Sequence, residues 1–159
     1  MGAHGTVPSS EGGGHDVKHI RSKDGTRIAY SREGTGPAVV LVGGGLDDGS
    51  ENAPLAMELA KRFTVYNYAR RGRGESGDTQ PYALEREIDD LQAVVREAGG
   101  AAHLLGASSG GALVLEAAAS EVPAARLAVY EVPYSLGGEA VAHWQRYVED
   151  LRGALAIDH

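Results

Sequence analysis

The chain reads as an α/β protein: a mostly parallel sheet with an N-terminal antiparallel hairpin and helices on both faces. Three observations predict this. Residues 101–111, Ala-Ala-His-Leu-Leu-Gly-Ala-Ser-Ser-Gly-Gly, pass from an apolar run through a sharp turn into an alanine-rich helical pattern. Two short alternating runs at 17–21 and 26–32 are joined by a segment containing Asp24-Gly25, a strong hairpin signal. Strand-like and helix-like segments then alternate along the chain, which calls for parallel strands with crossover helices.

The elements follow in order. Residues 1–16 hold glycines, serines and a proline without apolar periodicity, and are expected to be a disordered leader. His4 and His15 within it have nothing to position them. Residues 17–159 form a single domain. Ala38–Val42 is a continuous apolar run ending in Gly43-Gly44-Gly45, as suits a strand covered on both faces. Ser50 is expected to cap a helix over 51–62, with Leu55 and Leu59 inward. Residues 63–68 form another strand, and a loop over 70–81 follows. Over 83–98, Leu84, Ile88, Leu91 and Val95 recur at helical spacing until Gly99 stops the helix. A strand over 101–107, a helix over 109–121 and a strand over 126–132 complete the alternation. A terminal helix over 137–159 carries Val141, Trp144, Val148, Leu151 and Leu155 on one stripe. The stripe reads as a packing face, or a face that meets a partner, and the helix as the start of a cap.

Bulk composition narrows the function classes. The chain has 159 residues, 42% of them apolar, enough for one domain with a real core. A formal charge of −7 argues against nucleic-acid or anionic-membrane partners. With no cysteine, disulfides, thiolate catalysis and zinc–sulfur sites are excluded. No signal-peptide pattern or membrane-length apolar run is present, so a cytoplasmic location is the default expectation.

In open α/β sheets, ligands bind at the carboxyl ends of the strands. The Gly43–Gly45 triplet, the loop from Arg70 to Gly77, Ser108 and Glu131 all fall at that edge. Gly106-Ala107-Ser108-Ser109-Gly110 is the G-x-S-x-G pattern, in which a strained turn lifts the serine hydroxyl above the sheet. With 23 glycines in the chain the pattern alone decides little, and its strand and helix flanks decide it.

The ordered set consists of that turn, the glycine triplet, and Tyr68-Ala69-Arg70-Arg71-Gly72-Arg73-Gly74-Glu75-Ser76-Gly77. It resembles the α/β-hydrolase superfamily, and most of all its bacterial members with an arginine-rich R-G-x-G-x-S-G loop. The resemblance runs from about Val17 to Tyr134. It implies a serine hydrolase acting on a small-molecule ester or acyl substrate without a cofactor or metal. Ser108 then matches the nucleophile, and the backbone N–H groups of Ser109 and of Gly45 or Leu46, next to Gly44, match the oxyanion donors. Because Ser109 acts there through its backbone, its side chain is expected to matter little. Arg71, Gly72, Gly74 and Ser76 match a loop that is mainly structural in the family.

The chain departs from the family at three points. A histidine–glycine pair common at the oxyanion turn is Gly43-Gly44 here, and the aspartate usual before the arginines is Ala69. Family members also run on through a cap and two further strands that supply the histidine and usually the acid, so the fold is expected to be incomplete. Within the chain, His103 lies five residues from Ser108 on one strand, roughly 16 Å away, too far to be the base. His19 sits in the first strand and is read as structural, and His159 would need the tail to fold back. His143 is the candidate base and Glu131 the candidate acid. Loss of edge strands would expose a sheet edge, and either that edge or the terminal helix could pair two copies into a homodimer.

Two other readings are open. Gly72 to Gly77 satisfies the G-x-G-x-x-G dinucleotide pattern, but Asp78-Thr79-Gln80-Pro81 intervenes where a helix should begin. The other is a binding module that keeps the scaffold without turnover.

Overall fold

The computed structural model describes residues 16–134 and 137–156. The first fifteen leader residues and His159 lie outside them. Ten elements follow in order: β1 (Lys18–Arg21), β2 (Arg27–Glu33), β3 (Ala38–Val42), α1 (Ala53–Leu59), β4 (Thr64–Tyr68), α2 (Leu84–Glu97), β5 (Ala102–Ala107), α3 (Ser109–Ala119), β6 (Ala124–Tyr130) and α4 (Gly138–Ala156). They build one six-stranded sheet in the order β1-β2-β4-β3-β5-β6. The β1–β2 and β2–β4 pairings are antiparallel, and β4, β3, β5 and β6 are mutually parallel. The fold class expected from the sequence is the one observed.

β3 shows why an unbroken apolar run was needed. Val40 and Val42 join Leu91, Val94, Val95, Leu104, Leu113 and Val114 in the larger core, under α2 and α3. Val39 and Leu41 point the other way, into a smaller core with Ala56 and Val65 under α1. A strand with both pleat faces covered has no polar face to spare. Each such fully buried side chain contributes about 1.5–3 kcal/mol relative to exposure.

Three expectations need correction. Ser50 is not the cap of α1; the cap is Asn52, whose side chain does not bond the helix end. Asp47, only 3% exposed, gathers the donors ahead of that helix instead, accepting from the N–H of Gly49 at 2.7 Å and of Glu51 at 3.3 Å and from the Asn52 amide. Ser50 contributes its backbone instead, its carbonyl accepting from the Ala53 N–H at 3.1 Å. The helix is short; Ala56 is its buried residue and Leu59 packs against the smaller core as expected, while Leu55 is exposed. The apolar stripe of α4 is no packing face within the described chain, since none of that helix is buried. β6 stops at Tyr130, and despite its apolar sequence Leu127, Val129 and Tyr130 are exposed, because only β5 flanks it. No helix among the described residues is long and apolar enough to cross a membrane.

Candidate functional site

At the carboxyl end of β5 the backbone turns at Ser108, with φ 52° and ψ −124°, before α3 begins at Ser109. A non-glycine residue held there costs on the order of 1–3 kcal/mol, and the surroundings must impose it. They do so through the Ser108 N–H, which donates to the Tyr130 carbonyl at 2.9 Å, and the Ser108 carbonyl, which accepts from Gly111 N–H at 2.9 Å. Close approach explains the flanking glycines: a Cβ on Gly106 would strike the Gly110 carbonyl, and one on Gly110 the carbonyl oxygens of Val42 and Gly43. Gly110→Ala is therefore expected to destabilise the fold by about 3 kcal/mol, read as a lowered urea midpoint at unchanged slope. The Ser108 side chain is exposed at the rim.

The glycine triplet after β3 lies against this turn. The Cβ position of Gly44 is 3.5 Å from the Ser108 Cβ, and that of Gly45 is 3.8 Å from the Ser109 Oγ. Among the described residues, no backbone hydrogen bond outside the helices and strands uses the N–H of Gly45 or Leu46. Ser109 N–H opens a helix, where intrahelical partners are lacking. Leu46 itself is 95% exposed.

Behind the turn stands a buried ionic layer. Arg70 lies 6% exposed and grips Glu87 with two bonds of 2.7 Å, from Nε and Nη2. Its remaining nitrogen, Nη1, donates to the Ser109 Oγ at 3.0 Å and to the Gly43 carbonyl at 3.3 Å. Burial alone would pull the Arg70 guanidinium down, but Glu87 outweighs it, so Arg70 stands above its ordinary value and keeps its charge. Arg71 pairs with Asp90 through two bonds of 2.7 Å and reaches Asp24 at 3.0 Å. Arg73 Nε donates to the Gly45 carbonyl at 2.6 Å. Ser76 Oγ accepts from Ala29 N–H at 2.8 Å and donates to the Ala69 carbonyl at 2.6 Å.

Hydrogen bonds from Thr26, reinforced by Arg71, hold the Asp24 carboxyl down from its ordinary 3.8 to about 2, against the smaller opposing pull of burial. A carboxyl depressed in the folded state adds stability above its unfolded value and loses it as pH falls through the folded one. The urea midpoint is thus expected to drop between pH 4 and pH 2, and the part of the drop due to Asp24 disappears in Asp24→Asn.

Four of the residues singled out by the sequence, Ser108, Ser109, Gly44 and Gly45, converge at one point on the sheet edge. Glu131 follows the Tyr130 that pairs with the turn, and it is exposed with φ 49°. His143 is exposed on α4. His19, on β1, lies 2.9 Å from an Arg27 nitrogen, and the His103 ring stands edge-on to Phe63 with centroids 6.1 Å apart. Among the described residues none of these histidines hydrogen-bonds the Ser108 hydroxyl. Sequence reasoning missed Glu87 and Asp90. The signal was present: both fall on the buried stripe of α2, at helical spacing from Leu91 and Val94. Carboxylates on such a stripe beside two consecutive arginines call for buried pairs. The G-x-G-x-x-G reading fails, because the next helix starts only at Leu84.

Residues 38–158 match the alpha/beta hydrolase family. The chain is similar to an alpha/beta hydrolase from Sphaerobacter thermophilus, with 57% identity and a TM-score of 0.74, covering 76% of this chain and 47% of that one. It is similar to the bottromycin epimerase BotH, with 33% identity and a TM-score of 0.65, covering 72% of this chain and 47% of that one. It also resembles the uncharacterized hydrolase YraK of Bacillus subtilis, 27% identical over 135 residues, which are 80% of this chain and 50% of YraK. The chain spans about half the length of the relatives it matches. With the sheet, the strained serine turn and the glycine triplet in one order, and with most of its length matched, this chain belongs to the alpha/beta hydrolase family.

Proposed function

We propose that the chain carries the nucleophile and oxyanion side of a serine hydrolase acting on an ester or other acyl substrate. The observation that carries this reading is Ser108 itself, exposed on a strained turn with the glycine triplet packed against it. In the proposed reaction Ser108 Oγ attacks the acyl carbon, and its proton passes to a base as the C–O bond forms. The tetrahedral oxyanion rests on the N–H of Ser109 and of Gly45 or Leu46; one such donor is typically worth about 3–4 kcal/mol of barrier. Collapse expels the alcohol, which takes the proton back, and water then releases the acid from Ser108. His143 is the proposed base and Glu131 the proposed acid within the chain.

A fluorophosphonate probe tests this, with intact mass and peptide mapping as the readout. One adduct on Ser108 is the expected result; an unlabelled chain would remove the catalytic reading. The second reading, a binding module without turnover, is favoured by the lack of any histidine bonded to Ser108 Oγ among the described residues. It predicts no adduct, together with measurable affinity for the intact ester.

A further inference from the structure

We propose that Arg70 is a positioning residue for acyl transfer, holding the two backbone segments of the oxyanion site at a set spacing. This rests on the serine-hydrolase reading above. A guanidinium has five N–H donors in a rigid fork. Arg70 gives one hydrogen each of Nε and Nη2 to Glu87, and the two hydrogens of Nη1 face two acceptors on separate parts of the chain. One is the Gly43 carbonyl, at the root of the triplet after β3; the other is the Ser109 hydroxyl, on the first residue of α3. These are the segments whose N–H groups would meet the oxyanion.

Other contacts hold the segments nearby, with Gly110 packed against the Val42 and Gly43 carbonyls and Arg73 on the Gly45 carbonyl, but Arg70 is the side chain among the described residues that hydrogen-bonds both the triplet and Ser109. Gly44 and Gly45 have no side chains to interlock with the turn; the Ser108 Cβ and the Ser109 Oγ lie 3.5 and 3.8 Å from where their Cβ atoms would stand. The tie is buried and permanently charged, so it persists while an imidazole base titrates. It also revises the expectation that the Ser109 side chain is idle. The pair with Glu87 would satisfy Arg70 as a structural residue, and nothing in that pair requires Nη1 to reach across the turn. Ser109→Ala is therefore the informative change, because it cuts the tie and leaves the ion pair intact.

The test uses the 159-residue chain and the burst of p-nitrophenol from p-nitrophenyl acetate. Ser109→Ala is expected to slow acylation about 10-fold and Arg70→Lys about 100-fold, the KM for the ester staying within about twofold. The double variant should be no slower than Arg70→Lys by more than about twofold, since both cut one tie. Acylation in Ser109→Ala and Arg70→Lys within about threefold of the parent chain would overturn the proposal. If Arg70→Lys fails to fold, Arg70→Met with Glu87→Met removes both buried charges and should show the same loss. A burst that survives in Ser108→Ala would defeat the nucleophile reading alone. Backbone 15N order parameters then decide the tie without catalysis. Gly44, Gly45 and Ser109 should fall from about 0.85 to below about 0.6 in Ser109→Ala while Ile28 stays rigid, and unchanged values at the site would refute it.

Discussion

Ser108→Ala is expected to abolish the p-nitrophenol burst, lowering ester hydrolysis at least about 10³-fold to the level of the oxyanion donors and binding alone. The change removes one oxygen at an exposed rim position and leaves the Cβ in place. The backbone strain at φ 52° is the same for serine and alanine, so the urea midpoint should stay within about 0.5 kcal/mol of the parent chain. Ser108→Gly separates the two roles of the residue. It removes the nucleophile and also relieves the left-handed conformation, and is expected to stabilise the fold by about 1 kcal/mol. An alanine variant that still bursts would show that another nucleophile does the work.

Asp90→Ala is expected to cost about 3–5 kcal/mol, at least as much as the backbone clash in Gly110→Ala. The Arg71 guanidinium is 1% exposed and gives both of its 2.7 Å bonds to Asp90. Removing the carboxylate strands that charge with only Asp24, at 3.0 Å, and the Arg86 carbonyl, at 3.1 Å, for company. Against a total stability of about 5–15 kcal/mol for a domain, the loss is enough to put the transition near zero urea. Replacing Arg71 and Asp90 together by methionine should restore most of it, because no uncompensated charge remains. A loss below about 1 kcal/mol in Asp90→Ala would mean that the pair is solvated and that the arginine loop is anchored elsewhere.

The fold was legible wherever its cause is local. An Asp-Gly step sets a hairpin, an apolar pentapeptide sets a two-faced strand, and G-x-S-x-G between a strand and a helix sets the turn at Ser108. The α1 cap was misread: Ser50 has the right chemistry, but the helix starts at Ala53 with Asn52 as its cap, and the buried Asp47 organises the preceding turn through the N–H groups of Gly49 and Glu51. The same gap hid Glu87 and Asp90. Periodicity says which face of α2 is inward, and only the partner across the interface makes a carboxylate there tolerable.

The sequence by itself determined the order of strands and helices, the residue on the strained turn and the glycine-rich turn after β3. These depend on backbone conformation, which a few neighbouring residues decide. The tertiary structure alone decided that Arg70 spans from Glu87 to Ser109 and Gly43, that Arg71 sits between Asp90 and Asp24, and that α4 lies uncovered. Those outcomes come from residues about 15 to 50 positions apart brought within about 3 Å, and from a buried charge's need for a partner wherever the fold happens to supply one.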